Sequence, residues 1–263
     1  MRLDRTQTKN GLSECREHRA ERLGRCQPSR FLPSSSSSSS FHPLCSQPRV
    51  IPVVGVIGGI GSGKSSVARR LQSLRPIAVI DADQFGHQVL NLPHDQERIL
   101  QRFGPTVFEN QFQPSQQPTT SQISRATLGR VVFGSDAAAQ DARRDLEAIV
   151  HPEIRSLIER QISELRRQAN VEAIVLDAAV LLEAGWNDLC DVVVFIDTPQ
   201  ADRIARVQAG RGWSAAELAK REASQWPLPR KRAAADAVLD NSNSVDDAAR
   251  QLEQVIGKLK PQI

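Results

Sequence analysis

The sequence predicts an α/β fold, a doubly wound, five-stranded parallel sheet with helices on both faces, and three observations predict it. Five short apolar runs, Pro52–Ile57, Ile77–Ile80, Ala173–Leu176, Val192–Ile196 and Ala237–Leu239, are continuous rather than alternating, as strands buried on both faces require. Four of them run directly into a carboxylate: Asp81, Asp177, Asp197 and Asp240. The intervals between them carry apolar residues three and four positions apart, the spacing of amphipathic helices; Val67, Leu71 and Leu74 are one such set, and Leu252, Val255, Ile256 and Leu259 another. Strands of the first kind joined by helices of the second return the chain to the same edge each time, which makes the sheet parallel.

Residues 1–50 stand outside this pattern. Seven serines, Ser34 to Ser40, lie between Pro33 and Pro43, and the apolar residues around them follow neither a helical nor a strand period. Such a segment buries too little surface to offset its ordering entropy and is expected to be a disordered extension. Its Arg/Ser content makes organelle targeting the lesser alternative, with Glu14, Glu17 and Glu21 against it, and no apolar core of a secretory signal follows the start. The net charge of +4 also belongs here: nine basic against four acidic residues in 1–50 leave 25 against 26 in the remainder. A basic nucleic-acid footprint on residues 51–263 is therefore not expected. No apolar stretch approaches the ~20 residues of a membrane span. Cys15, Cys26 and Cys45 fall in the extension and Cys190 stands alone beyond it, so neither a zinc knuckle nor a disulfide framework is expected, and a reducing cytoplasm fits.

The first strand opens onto the strongest signal in the chain, Gly58-Gly59-Ile60-Gly61-Ser62-Gly63-Lys64-Ser65, with Ser66 continuing into a helix. This is the Gly-x-x-x-x-Gly-Lys-Ser pattern in its required strand–loop–helix setting. Glycines let the backbone wrap a phosphate with its N–H groups turned inward, and the helix N-terminus adds a favourable dipole. Lys64 would reach the β- and γ-phosphates of ATP, and the Ser65 hydroxyl would ligate Mg²⁺ directly. The second strand closes on Ile80-Asp81-Ala82-Asp83. If extended geometry persists, both carboxylates face the same side at the carboxyl edge, where one could accept a proton from an attacking hydroxyl; the alternative is a helix cap. Residues 85–170 read as wholly helical, an insertion beside the sheet suited to a substrate subdomain, with a long helical pair broken at His151-Pro152. Asp177 ends the third strand, where it could hold a Mg²⁺-bound water or cap a helix. For Glu183 and His151 pattern alone leaves substrate contact and a structural role both open. Cations crowd residues 203–232, among them Arg203, Arg206, Arg211, Lys220, Arg221, Lys231 and Arg232, and a mobile basic lid is one reading of them.

The cradle names a nucleotide and not a reaction. Asp83-Gln84-Phe85-Gly86 imitates a GTPase switch element but lies too close to the cradle, and no Asn-Lys-x-Asp base-reading motif occurs. A small-molecule kinase is the leading class. At this point the residues resemble the dephospho-CoA kinase family from about Val54 to about Leu259, nearly the whole of residues 51–263. The resemblance rests on the cradle, Ile80-Asp81-Ala82-Asp83, the stretch from Arg125 through Leu128 to Val132-Phe133, and Leu146-Glu147 leading to His151-Pro152. It continues with Leu181-Leu182-Glu183, Ser224 to Leu228, Lys231-Arg232, Ala235-Asp236 and Asp240-Asn241-Ser242. It implies a P-loop kinase fold and ATP-dependent phosphorylation of the ribose 3′-hydroxyl of dephospho-CoA. It further implies Asp83 as general base, Arg125, His151 and Glu183 near the substrate, Arg206 and Arg211 as lid arginines, and Asn241 near the adenine. The chain departs from the family pattern at Ser124, where Asp is usual, at Ala179, where Pro is usual, and at Gly210, where a second lid arginine is usual and Arg211 follows instead. The rival readings are another P-loop nucleoside or nucleotide kinase and a non-catalytic nucleotide-binding module.

Overall fold

A computed structural model describes residues 51–108, 122–134 and 136–259. The extension of residues 1–50, with its serine run and three cysteines, lies outside the described residues. Strands β1 (Val53–Gly58), β2 (Ile77–Asp81), β3 (Ala173–Asp177), β4 (Val192–Asp197) and β5 (Ala237–Asp240) form one sheet in the order β2-β3-β1-β4-β5. Every pairing is parallel, and each of the four carboxylates that follow an apolar run is the last residue of its strand. The acids therefore collect at one edge of the sheet, with Asp81 and Asp177 in register as neighbours.

Alternation within the strands divides the core between two faces. On one, Val54, Val56, Val175, Val194 and Ile196 pack against Val67 and Leu71 of α1 (Lys64–Leu74) and Leu252 and Ile256 of α9 (Val245–Leu259). On the other, Ile57, Ile174, Leu176, Val193 and Phe195 meet Ala82 and Val89 of α2 (Ala82–Val89) and Ile154, Ile158 and Ile162 of α5 (Ala137–Leu165). Glycine at position 55 follows from this second layer: a β-carbon there would stand 2.8 Å from Cys190 Sγ and 3.0 Å from Leu181. Cys190 is buried, as a small hydrophobe would be, with its Sγ 3.8 Å from the Trp186 carbonyl oxygen.

The insertion between β2 and β3 has an apolar cluster of its own. Ile99 of α3 (Pro93–Phe103), Leu128 and Val132 of α4 (Arg125–Val132), and Ala142 and Ile149 of α5 enclose Val107, Phe108 and Ile123. Two expectations are corrected here. An antiparallel bridge between Phe108 and Ile123 interrupts the wholly helical reading. The helical pair expected to break at Pro152 is instead one helix of 29 residues, with the proline inside it. A proline there removes one backbone donor and crowds the preceding turn. The acceptor that loses its donor is the Ala148 carbonyl, four residues back, while Ile149, Ile154 and Ile158 hold both halves of the helix against apolar layers. Packing on both sides of the proline outweighs the local cost. No helix among the described residues is long and apolar enough to cross a membrane.

After β4 the chain forms α6 (Gln200–Arg211), α7 (Ala215–Glu222) and α8 (Leu228–Ala234) before β5.

Candidate active site

The glycine-rich loop joins β1 to α1 and closes on itself through Ser62 N–H to the Gly59 carbonyl at 3.2 Å. Gly63 supplies the N-cap in the left-handed region, φ 85°, and a β-carbon there would also lie 2.8 Å from Asn241 Nδ2. No side chain caps α1 and no acid occupies its first turn, so its leading N–H groups are left for an anion. Lys64 Nζ bends back to the Gly59 carbonyl at 3.2 Å.

The loop is held from behind through one atom. The Ser62 carbonyl accepts from Asn241 Nδ2 at 2.8 Å, Thr198 Oγ1 at 2.9 Å and Arg206 Nη1 at 3.3 Å. Arg206 Nη2 also reaches the Asn241 carbonyl at 3.4 Å. Asn241 is fully buried, so in this conformation it acts on the loop and not at its open face. Arg203, 5% exposed, ion-pairs with Glu222 of α7 and extends Nη1 to the Ile60 carbonyl at 3.5 Å. Thr198, Arg203 and Glu222 carry no sequence signal of this role, since their partners are distant in the chain.

In front of the loop stand the strand-end acids. Asp177 is buried and takes a hydrogen bond from Ser65; loss of hydration pushes its carboxyl up, Ser65 and Lys64 pull it down, and Asp81 pushes it up again. The expectation that extended geometry carries Asp81 and Asp83 to one face is corrected. The strand stops at Asp81, which caps α2 by accepting N–H groups of Asp83 at 3.1 Å and Gln84 at 3.4 Å. Asp83 falls in the first helical turn instead, open to solvent at the mouth of the site. Crowding by surrounding protein raises its carboxyl above the ordinary range, the like charges of Asp177 and Asp81 add to this, and Lys64 and His87 oppose it. Lys64 is lowered by loss of hydration; Asp177 and Asp83 raise it, and Lys231 and Arg211 lower it further. One lysine and two carboxylates from three elements thus share one electrostatic neighbourhood.

The remaining residues expected at the site divide. Arg125 donates to His87 Nε2 at 2.6 Å, which brings α4 to α2 one turn beyond Asp83. Glu183 pairs with Lys231 at 2.9 Å, and the same oxygen accepts the Trp226 N–H at 2.8 Å. Lys231, 1% exposed, completes its shell on the Ala179 carbonyl and Gln225 Oε1, each at 3.0 Å. His151 packs edge-on against the buried Trp186, ring centroids 5.3 Å apart, and burial lowers its imidazole; among the described residues it joins by packing, not by a polar contact. Arg211 lies over the Trp213 ring at 4.8 Å, and Arg221 lies over the same ring at 4.1 Å.

The family model for dephospho-CoA kinase matches residues 52–247. The chain belongs to the dephospho-CoA kinase family. It is 34% identical over 212 residues to a dephospho-CoA kinase of Carboxydothermus hydrogenoformans, covering 80% of this chain and 96% of that protein. With the dephospho-CoA kinase of Geobacter sulfurreducens it shares 36% over 210 residues, 80% and 99% of the two chains. Among solved structures, a Thermus thermophilus protein superposes with a TM-score of 0.64 at 30% identity, over 80% of this chain and 98% of that one. The dephospho-CoA kinase of Campylobacter jejuni gives 0.54 at 25%, over 79% and 96%.

Family membership makes the three departures readable. Ser124 caps α4 by accepting the Thr127 N–H, the task an Asp would perform. Position 179 contributes its carbonyl to Lys231, which Ala supplies as Pro would. A β-carbon at Gly210 would meet nothing within 4 Å.

Proposed function

We propose that the chain transfers the γ-phosphoryl group of ATP to the ribose 3′-hydroxyl of dephospho-CoA, giving CoA and ADP. The observation that carries this reading is the position of Asp83, in the field of both Lys64 and Asp177 beside the glycine-rich loop. The loop N–H groups from Gly58 to Ser66 would take the phosphates, and Lys64 would leave the Gly59 carbonyl to bridge the β- and γ-groups. Asp83, at the mouth, would orient the hydroxyl and accept its proton as the oxygen attacks phosphorus. Arg206, already on the loop, and Arg211, whose charge is felt at Lys64, are the cations offered to the transferring group. Phosphoryl transfer asks little covalent help from a protein, so positioning and charge neutralisation supply most of the rate.

Mg²⁺ fits the residues present. The Ser65 hydroxyl already faces the Asp177 carboxyl, and the charge of Asp81 raises the carboxyls of both Asp83 and Asp177. Ser65 would bind the ion directly and Asp177 through a water; when bound, the ion would neutralise charge on the β- and γ-phosphates. In the same reading residues 85–170 receive the acceptor, with Arg125, His151 and Glu183 on its side, and residues 203–232 act as the lid. The cysteine usage supports a cytoplasmic setting for the reaction.

A coupled assay of ADP release with dephospho-CoA, AMP and uridine tests the proposal. Turnover with dephospho-CoA well above that with the other two is expected. Equal turnover of AMP or uridine would reassign the chain to nucleoside or nucleotide kinases, and ATP binding without ADP release would make it a binding module.

A further inference from the structure

Two of the loop's glycines go beyond what the phosphate pattern asks. Gly-x-x-x-x-Gly-Lys-Ser requires Gly58 and Gly63 and leaves positions 59 and 61 open. Gly61 answers to its own backbone, with φ at 77°. Gly59 does not, since it is not among the glycines of positive φ. Its reason lies outside the loop: a β-carbon there would stand 2.7 Å from Arg203 Nη1 and 3.1 Å from Glu222 Oε1. The same face of α6 continues along the loop. A β-carbon at Gly61 would stand 2.8 Å from Val207 Cγ1, and one at Gly63 would stand 3.1 Å from Arg206 Nη1.

Arg203, on α6, and Glu222, the last residue of α7, are thus seated together on the Gly59-Ile60 segment of the loop. The pair is largely dry, with the arginine side chain 6% exposed and the glutamate 22%. As a stabilising contact it is incomplete. Arg203 Nε is buried with no hydrogen-bond partner among the described residues, and Nη1 reaches the Ile60 carbonyl only at 3.5 Å. A desolvated pair of this kind contributes position more than stability. Without Arg203, moreover, Glu222 would leave an unpaired carboxylate beside a loop suited to an anion.

We infer that Arg203 is a positioning residue for the triphosphate and that Glu222 is the group that holds it in place. Gripped by Glu222, the guanidinium braces the Gly59-Ile60 segment from its outer side, so that the loop's N–H groups are arranged for an anion before ATP arrives. Because Glu222 closes α7, the affinity of the loop for ATP is tied to where that helix sits. The inference rests on the proposed use of the loop for ATP and not on the identity of the acceptor.

The test is calorimetric titration of the full chain with ATP, without an acceptor, in the wild type and in Glu222→Gln, Gly59→Ala and their double variant. Positioning and bare charge predict opposite signs. By charge alone, Glu222→Gln leaves one more uncompensated cation beside the loop and would tighten ATP binding. With the guanidinium released from its hold, the same variant is expected to bind ATP about tenfold more weakly. Gly59→Ala displaces the guanidinium from the loop side and should weaken ATP by a similar factor, about tenfold. Both changes act through one group, so the double variant should bind little more weakly than either single one. Asp188→Asn breaks the Arg155 pair between α5 and the segment before β4; it controls for loss of an ion pair as such and should keep wild-type affinity. Tighter or unchanged binding in Glu222→Gln, or losses that multiply in the double variant, overturns the inference. Should Glu222→Gln fail to fold, the neutral pair Arg203→Gln/Glu222→Gln takes its place, with the same loss expected and unchanged affinity overturning the assignment. A wild type that binds ATP yet releases no ADP with dephospho-CoA overturns the proposed function, and the same titrations still decide the role of Arg203.

Discussion

Asp83 occupies an exposed turn, yet the protein and like charges around it raise its carboxyl above the ordinary range, with measurable consequences. In the proposed mechanism its base form accepts the hydroxyl proton, so catalysis should decline as pH falls and the carboxyl is protonated. Because hydration loss, Asp177 and Asp81 all raise its carboxyl, the acid limb of kcat/KM should lie above the ordinary carboxylate value and activity should fall as pH drops through it. Asp81→Asn removes one like charge while Asn still caps α2, so that limb should move to lower pH with the helix intact. Lys64 is held below the usual lysine range, which sets the alkaline limb beneath that value. Asp83→Asn should cost about 10²–10⁴-fold in kcat with the dissociation constant of ATP nearly unchanged; normal turnover in that variant would remove the general base. At this scale the sequence showed the cradle plainly, since glycine spacing followed by Lys64 and Ser65 has few other uses. It did not show the residues behind the cradle. Asn241 and Ser62 meet across 179 positions, and Arg203 and Ile60 across 143, distances over which no local pattern operates.

The elements were legible where burial dictates composition and obscure where tertiary packing overrules it. All five strands fall within a residue or so of their apolar runs; the inner strands β1, β3 and β4 are covered on both faces and admit little else, while the edge strand β5 keeps its apolar run although Val238 is exposed. Asp81 was harder: a carboxylate after a strand reads equally as catalyst or cap, and only the backbone turn into α2 assigns the cap to Asp81 and frees Asp83. Pro152 misled for the opposite reason, since a local breaker is tolerated inside α5 by isoleucines anchored in two clusters. The Ser124 departure gives this scale its test. Ser124 Oγ accepts the first-turn N–H of Thr127 and stands immediately before Arg125. Ser124→Ala should destabilise by about 1 kcal/mol in denaturant unfolding and raise the acceptor KM by loosening Arg125. Ser124→Asp preserves the cap and should match wild type in both; a loss of stability equal to that of the alanine variant would show the cap to be irrelevant.

Across the whole molecule, the sheet gathers charge at one edge and the helices that follow β4 must be fastened to it. Glu183, in the segment after β3, and Lys231, on α8 before β5, make that fastening in a nearly dry site. The ammonium finds three acceptors, Glu183, the Ala179 carbonyl and Gln225, so its desolvation is well offset; the second oxygen of Glu183 is buried without a hydrogen-bond partner among the described residues. Such a pair is costly to break from one side and cheap to replace whole. Lys231→Met should therefore cost about 3–5 kcal/mol, because Glu183 is left charged against an apolar neighbour and two further acceptors lose their donor. Glu183→Gln keeps the acceptor for the Trp226 N–H and should cost much less. The double variant Glu183→Gln/Lys231→Met should recover part of the lysine loss, a non-additivity that chemical denaturation of the four proteins measures directly. Lys231 also depresses Lys64, so its removal should raise the alkaline limb of the rate profile in whatever protein remains folded. Additive stabilities together with an unmoved limb would mean that the buried pair neither fastens the segment before β5 nor acts on the cradle.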